Sequence, residues 1–288
     1  MSNPKIKKIL VTGASGFIGA AIVEQLNQSG YEVISSTRKK SEAIESRVIL
    51  IDLFKPATIL GLSDKQNFDV IVHFGAQIGW TDKDEKTMFM SNLISTSLLA
   101  AEAVKMGAKF IFASTVILHG MYAENINFNS EINPDTPYAK SKWLAEELIR
   151  MSGVNYCILR IGGVFGLNGP IHLGLNRTIS DVIKKISPKI YGDGSAKRNY
   201  IYLWDVAKTV DTIIKNDIAG VHLLAGTECT TVGSMVAQVC EVLSHDVLPV
   251  KIPGDRAKNQ LIEPSDFLPK TRSFQVALED IKLRLKVS

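Results

Sequence analysis

Along the first 160 residues, short apolar runs rich in β-branched side chains alternate with longer stretches whose apolar positions recur every three or four residues. The runs fall at 6–11, 31–35, 47–51, 69–74, 109–113 and 155–161, and each predicts a strand. They are apolar almost throughout rather than at every second position, the pattern of strands covered on both faces. The periodic stretches predict helices, one running through Gln28 and two more at Lys86–Met106 and Tyr138–Met151. Strand and helix in alternation imply an α/β fold, a doubly wound parallel sheet with helices on both sides. The run Gly162-Gly163-Val164-Phe165-Gly166-Leu167-Asn168-Gly169-Pro170 ends this regime. Beyond it, helices near Leu175–Ile186, from Asp205 and over Val232–Leu243 surround a turn at Gly192-Asp193-Gly194.

Thr12-Gly13-Ala14-Ser15-Gly16-Phe17-Ile18-Gly19 joins the first strand to the first helix. Glycines at this spacing make the tight turn, let a pyrophosphate approach the backbone and let the helix pack on the sheet, while helix N–H groups face the phosphates. The turn therefore predicts a Rossmann dinucleotide site involving Gly13, Ser15, Gly16, Phe17, Ile18 and Gly19. The expected division is a dinucleotide-binding domain over 1–166, to which 203–226 returns, and a smaller, discontinuous C-terminal substrate-binding region over 167–202 and 227–288. In open α/β sheets ligands sit at the C-terminal strand edge, so these later segments are expected to cover that edge.

Asp135-Thr136-Pro137-Tyr138-Ala139-Lys140-Ser141-Lys142 carries the candidate chemistry. Pro137 suits a helix first turn, so Tyr138 and Lys142 share one face at i and i+4. An ammonium beside a phenol favours the phenolate, which predicts a tyrosine that exchanges protons nearer neutrality.

Composition narrows the class. The chain has 288 residues, 45% of them hydrophobic, with no apolar run near the ~20 that span a membrane. No apolar signal region follows Met1, so a cytoplasmic enzyme is expected. Cys157, Cys229 and Cys240 are far apart and read as reduced core cysteines. The five histidines (His73, His119, His172, His222 and His245) show no metal-ligand spacing, and no metal is expected. A net charge of +4 is mild; Lys5, Lys7 and Lys8 read as a solvated strand edge rather than a nucleic-acid contact. His73, closing an apolar strand, reads as a satisfied core residue.

Taken with further segments, the chain resembles the extended short-chain dehydrogenase/reductases, the group of NAD-dependent epimerases and dehydratases of nucleotide sugars. Asp69–Ala76 is similar to that family's fourth strand and Ser91–Thr96 to its central helix. Phe110–Thr115 and Leu159–Gly166 are similar to its fifth and sixth strands, and Tyr191–Val206 to its signature near the sugar-nucleotide phosphates. The resemblance implies a catalytic trio: Tyr138 exchanges the proton, Lys142 holds the nicotinamide ribose, and Thr115 hydrogen-bonds the substrate oxygen. Ser114 rivals Thr115, because neighbours on a strand point to opposite faces. It also implies cofactor contacts at Asp52, Leu53, Phe74, Gly75 and Ala76. Asn92 would order backbone or water behind the site, unless it is simply a capping or core amide. Arg198 would clamp a substrate diphosphate, and Gly163 stands where many relatives carry a substrate-touching Asn. Relatives pair their central helices into a homodimer, and Leu93, Leu98, Leu99, Leu144, Leu148 and Ile149 offer the apolar surface for it.

Cofactor and reaction type follow from single residues. NAD-specific relatives end the second strand with a carboxylate, whereas this chain runs Ser35-Ser36-Thr37-Arg38-Lys39-Lys40. Arg38, with the hydroxyl of Ser36 or Thr37, suits a 2′-phosphate, so NADP(H) is expected over NAD(H), which stays possible. Related dehydratases follow the active-site Thr with an acidic pair; here Val116 and Ile117 follow Thr115 and cannot carry a proton. The expected reaction is reduction of a 4-keto nucleotide sugar, with 4-epimerisation as the alternative. Carbonyl reduction of the dihydroflavonol-reductase type and a non-catalytic NADP-sensing or scaffold role also stay open.

Overall fold

The computed structural model describes residues 7–38, 47–79, 85–255 and 257–286. Lys5, Ile6, Lys39 and Lys40 from the expectations above lie outside the described residues. The first five strands are β1 (Lys8–Thr12), β2 (Glu32–Thr37), β3 (Val48–Leu50), β4 (Val70–His73) and β5 (Lys109–Thr115). Together with Tyr156–Ile161 and Gly220–Leu224 they form a seven-stranded parallel sheet. Its order is Gly220–Leu224, Tyr156–Ile161, β5, β4, β1, β2, β3. The chain fills one side of β1 and then crosses to the other with β4, so the order reverses between β1 and β4. Ligands bind at such a switch point, outside the C-terminal strand ends. Register places Thr12 beside His73 there.

The continuous apolar strands β1, β4, β5 and Tyr156–Ile161 are buried on both faces, as the pattern predicts, whereas the edge strand β3 is not, and its Leu50 is exposed. Leu10, Ile34, Ile71, Phe110 and Ile158 form one core with Leu99 and Ala103 from one helix and Ala145 and Ile149 from another. Ile9, Val11, Val33, Val72 and Ile111 are buried as well. Helix α1 (Phe17–Gln28) matches its prediction, and the helix at Pro137–Met151 starts on the predicted proline. Its N-cap is Thr136, whose hydroxyl accepts from the Ala139 amide at 3.1 Å. The single helix expected over Lys86–Met106 is instead two α-helical pieces, Glu85–Met88 and Ser95–Met106, joined by a π-helical stretch at Phe89–Ile94. Lys7 and Lys8 are not simply solvated: their ammonium groups bond the Ile214 carbonyl and the Gln66 side chain. Cys229 is exposed rather than in the core, unlike Cys157 and Cys240.

Two compact units emerge. The first holds the described residues up to Met121, then Glu131–Arg160 and Val206–His222. The second holds Tyr122–Ser130, Ile161–Asp205 and the chain from Leu223 onward. Within the second unit, Val164–Phe165 pairs in parallel with Ile201–Tyr202, and Lys197–Arg198 pairs antiparallel with Thr230–Thr231. The helix Phe274–Leu285, which the sequence pattern left unassigned, latches onto this unit. The Tyr202 hydroxyl donates to Asp280 at 2.6 Å, and the Arg284 guanidinium lies 3.8 Å from the Trp204 ring centroid.

Candidate active site

In the first unit, the glycine turn is built by close backbone approach. Gly13 has φ +71°, and a Cβ there would sit 2.6 Å from the Gly75 nitrogen. A Cβ on Gly19 would meet the Gly13 carbonyl oxygen at 2.0 Å. The turn thereby lies flat against both α1 and the end of β4. The Ala20 amide bonds the Gly16 carbonyl at 2.9 Å, so the amides of Phe17, Ile18 and Gly19 ahead of it point out of the helix end. A cavity of about 930 Å³ opens at this point. Its walls come from four strand ends: Gly13, Ser15 and Gly16 after β1; Ser36, Thr37 and Arg38 at β2; Asp52 and Leu53 after β3; Phe74, Gly75 and Ala76 after β4. Ile51, Phe54, Lys55, Gln77 and Ser91 complete it, and the sequence reading assigns none of these a cofactor contact. Outward helix amides, a backbone that tolerates no side chain and a hydroxyl-and-cation corner at Ser36–Arg38 fit a dinucleotide. Asp52 is partly spent locally, its carboxylate accepting from the Phe54 amide at 3.1 Å.

Behind the cavity, polar groups are paired. His73 is fully buried, with Nδ1 2.6 Å from the Thr12 hydroxyl and Nε2 2.9 Å from the Thr96 hydroxyl. Burial, then the nearby Lys142 charge, pulls its pKa down to about 3, so it stays neutral and structural. Asn92 sits in the π-helical stretch. Its side chain accepts from the Gln77 amide and donates to the Gln77 carbonyl, both at 2.8 Å, and donates to the Ser141 hydroxyl at 3.1 Å. It thus orders backbone, tying a cavity wall to the helix that bears Tyr138 and Lys142. Widened π turns recur at functional sites, and no periodicity in the sequence marks this one.

Thr115 ends β5 and caps the short 3₁₀ turn Val116–His119, accepting from the Ile117 amide at 3.2 Å. Ser114 points the other way and donates to Glu146 at 2.5 Å, so its proton is not available to a substrate. Lys142 is buried, with its ammonium 4.1 Å from the Phe112 ring centroid. Tyr138, half-buried, lies one helical turn before it. The electrostatics reverse the expectation for Tyr138: burial pushes the phenol up to about 12. Burial also pulls Lys142 down to about 7, only partly countered by Glu146. Low dielectric penalises both charged forms, so the tyrosine rests as a neutral phenol.

Glu146 carries a network that the sequence leaves unmarked. It is fully buried and receives Arg160 at 2.9 Å, Arg150 at 2.8 Å and Ser114. Arg160 in turn reaches His119 Nε2 at 3.5 Å. The available signal was its place four residues after Lys142, which puts a carboxylate on the same helix face.

Lys142 also makes stability depend on pH. The unfolded lysine titrates near 10.5 and the folded one near 7, so between these values the unfolded chain holds the extra proton. Stability therefore rises with pH across that window, by up to about 1.4 kcal/mol per unit from this group. Lys142→Met is expected to stabilise the fold most below about pH 7 and little near pH 10. Urea unfolding of both proteins across this range checks it; a pH-independent difference would refute it.

In the second unit, Gly163 and Arg198 come close to one shared neighbour, Tyr200. A Cβ on Gly163 would lie 2.2 Å from the Tyr200 ring, so that ring occupies the space a side chain would need. Arg198 donates to the carbonyls of Lys197 and Lys258 at 2.8 and 2.5 Å. Among the described residues no cluster of His, Cys, Asp or Glu could hold a metal ion, and no helix is long and apolar enough to cross a membrane.

The model of the NAD dependent epimerase/dehydratase family matches residues 9–226. The chain belongs to this family. It is accordingly an NAD(P)-dependent enzyme of the extended short-chain dehydrogenase/reductase type. A putative UDP-glucose 4-epimerase of Methanocaldococcus jannaschii is 29% identical over 83% of this chain and 82% of its own length. Among solved structures, the UDP-glucose 4-epimerase of Thermotoga maritima with UDP-glucose superposes with a TM-score of 0.81 at 21% identity, covering 98% of this chain and all of the other. A dTDP-4-dehydrorhamnose reductase of Bacillus anthracis in complex with NADP gives 0.82 at 18% identity, covering 98% and 100%. Likeness at this identity shows the fold alone. Epimerases, dehydratases and reductases of nucleotide sugars all occur among the relatives.

Proposed function

We propose that this family member is an NADP(H)-dependent reductase of a 4-keto nucleotide sugar. The observation that carries the proposal is Arg38: it lines the dinucleotide cavity beside Ser36 and Thr37, where a 2′-phosphate-repelling carboxylate would otherwise stand. An epimerase recovers its own hydride and gains nothing from a reduced NADP pool, whereas a reductase consumes one hydride per turnover. Val116 and Ile117 after Thr115 leave no acid to expel water, which argues against dehydration.

When bound, the reduced nicotinamide supplies the hydride; the chain supplies the rest. Tyr138, protonated at neutral pH, gives a proton to the substrate oxygen. Thr115 donates a hydrogen bond to the same oxygen, its own lone pair engaged by the Ile117 amide. Lys142 holds the nicotinamide ribose, and Asn92 keeps its helix in register with the cavity wall. Arg198 binds the substrate diphosphate. A phenol with a raised pKa rests protonated at neutral pH, the form that the reductive direction needs.

Epimerisation is the second reading, favoured by the relative from Methanocaldococcus jannaschii. The stoichiometry separates the two. A reductase is expected to oxidise one NADPH per keto-sugar, read as loss of absorbance at about 340 nm, a wavelength fixed by the nicotinamide. Turnover of a nucleotide sugar with no NADPH consumed would overturn the reductase in favour of the epimerase.

A homodimer is part of the proposal. Of the apolar surface expected for it, Leu99 and Ile149 lie in the core instead and Leu93 and Leu98 pack against it; Leu148 is exposed, together with Ile94, Val104 and Met151 on the same neighbouring helices. A self-complementary pair of such faces closes a two-fold dimer. Light scattering at micromolar concentration is expected to give twice the 31.6 kDa chain mass; a single 31.6 kDa species would refute it.

A further inference from the structure

The hydrogen bonds around His73 have a single consistent direction. The Thr96 hydroxyl spends its one proton on the Asn92 carbonyl at 2.6 Å. Toward His73 Nε2, 2.9 Å away, it therefore accepts, so Nε2 carries a proton. The ring is fully buried and stacks on Phe112, which also meets the Lys142 ammonium, so a second charge is disfavoured and Nδ1 is bare. Nδ1 then accepts from the Thr12 hydroxyl at 2.6 Å, and the Thr12 oxygen accepts from the Gly75 amide at 3.3 Å. These bonds run head to tail from the Gly75 amide to the Asn92 carbonyl. The Asn92 side chain closes the circuit, because it grips both backbone groups of Gln77, just beyond Gly75. Gly75 and Gln77 line the dinucleotide cavity, as does Gly13, which follows Thr12.

We infer that His73 is a positioning residue for the dinucleotide cavity: as one fixed tautomer, protonated on Nε2, it locks the glycine turn and the end of β4 to the π-helical stretch. Its Thr12 arm holds Gly13 against Gly75, where the two backbones meet too closely for a Cβ. Its Thr96 arm fixes a hydroxyl that bonds back one turn to Asn92, a contact that bends helices. That bend keeps the Asn92 amide turned toward Gln77 and Ser141. The opposite tautomer would set a bare Nε2 against a hydroxyl with no proton left to give. The inference rests on the cavity being the dinucleotide site and is independent of the reaction proposed for it.

Heteronuclear NMR of histidine-labelled protein at neutral pH tests the tautomer in the unaltered chain, the signal lost in His73→Asn giving the assignment. A proton on Nε2 and a bare Nδ1 are expected; a proton on Nδ1, or on both nitrogens, overturns the inference. The two arms are then cut singly, read by calorimetric NADPH affinity and by amide hydrogen exchange. In His73→Asn the side-chain carbonyl stands near the Nδ1 position and keeps the Thr12 bond, so the Thr96 arm is lost. Exchange over Ser91–Thr96 is expected to quicken there, with the smaller change in NADPH affinity. In His73→Gln the side-chain amide nitrogen stands near Nε2 and keeps the Thr96 bond. NADPH affinity is then expected to fall roughly threefold to tenfold, the range for one lost hydrogen bond, with the smaller change in exchange. Thr96→Val and Thr12→Val cut the same arms with the ring intact and should repeat the split, which keeps the test decisive where a ring variant fails to fold. Equal losses on both readouts from both arms would make His73 a mere core filler and overturn the inference, as would unchanged NADPH affinity in His73→Gln and Thr12→Val. A wild-type chain that binds neither NADPH nor NADH would refute the cavity as the dinucleotide site, and the positioning role with it, whatever the tautomer.

Discussion

Tyr138→Phe is expected to slow turnover by ~10²–10⁴ while leaving NADPH affinity nearly unchanged, the range for loss of a positioned proton donor. The reduced carbonyl must gain a proton as hydride arrives, and a phenol at about 12 is fully protonated at neutral pH. Removing the oxygen leaves the half-buried ring in place, so folding and the dinucleotide cavity should survive. The cavity walls are the glycine turn and strand ends rather than Tyr138, which is why binding and turnover should separate. Single-turnover rates with saturating NADPH and a fluorescence titration of NADPH check the two halves. Full activity in Tyr138→Phe would remove it from the chemistry; an equal loss of NADPH binding would make it a cofactor ligand instead.

Arg38→Glu is expected to weaken NADPH roughly ten- to a hundredfold and NADH hardly at all. A guanidinium paired with phosphate contributes on the order of 1.5–3 kcal/mol, and a carboxylate in its place adds repulsion. Arg38 is exposed but not unsupported: its guanidinium lies 5.9 Å from the Phe54 ring centroid, against the cavity wall. That contact limits the rotamers the long side chain must give up on binding. Calorimetric titration of both cofactors into both proteins decides it. Equal losses, or tighter wild-type binding of NADH, would refute the NADP assignment and remove the main support for a reductase.

Much of this protein was legible before any tertiary contact was known. Periodicity alone placed six of the seven strands of the main sheet, most of them apolar throughout because they are buried on both faces. The glycine turn, the proline-started helix with Tyr138 and Lys142, and the basic end of β2 are local devices whose chemistry is written within eight residues. What sequence could not supply was anything set by a long-range partner. The π-helical stretch that turns Asn92 toward Gln77 and Ser141 depends on packing, not on residue spacing. The choice between Ser114 and Thr115 waited on Glu146, 32 residues away. Tyr138 and Lys142 were legible as a pair, but the direction of their pKa shifts was not, since desolvation depends on what covers them. Gly163 looked like a gap in a motif until the fold brought Tyr200 into it. Local chemistry is carried by neighbouring residues in the chain; burial and volume belong to residues that meet only when it folds.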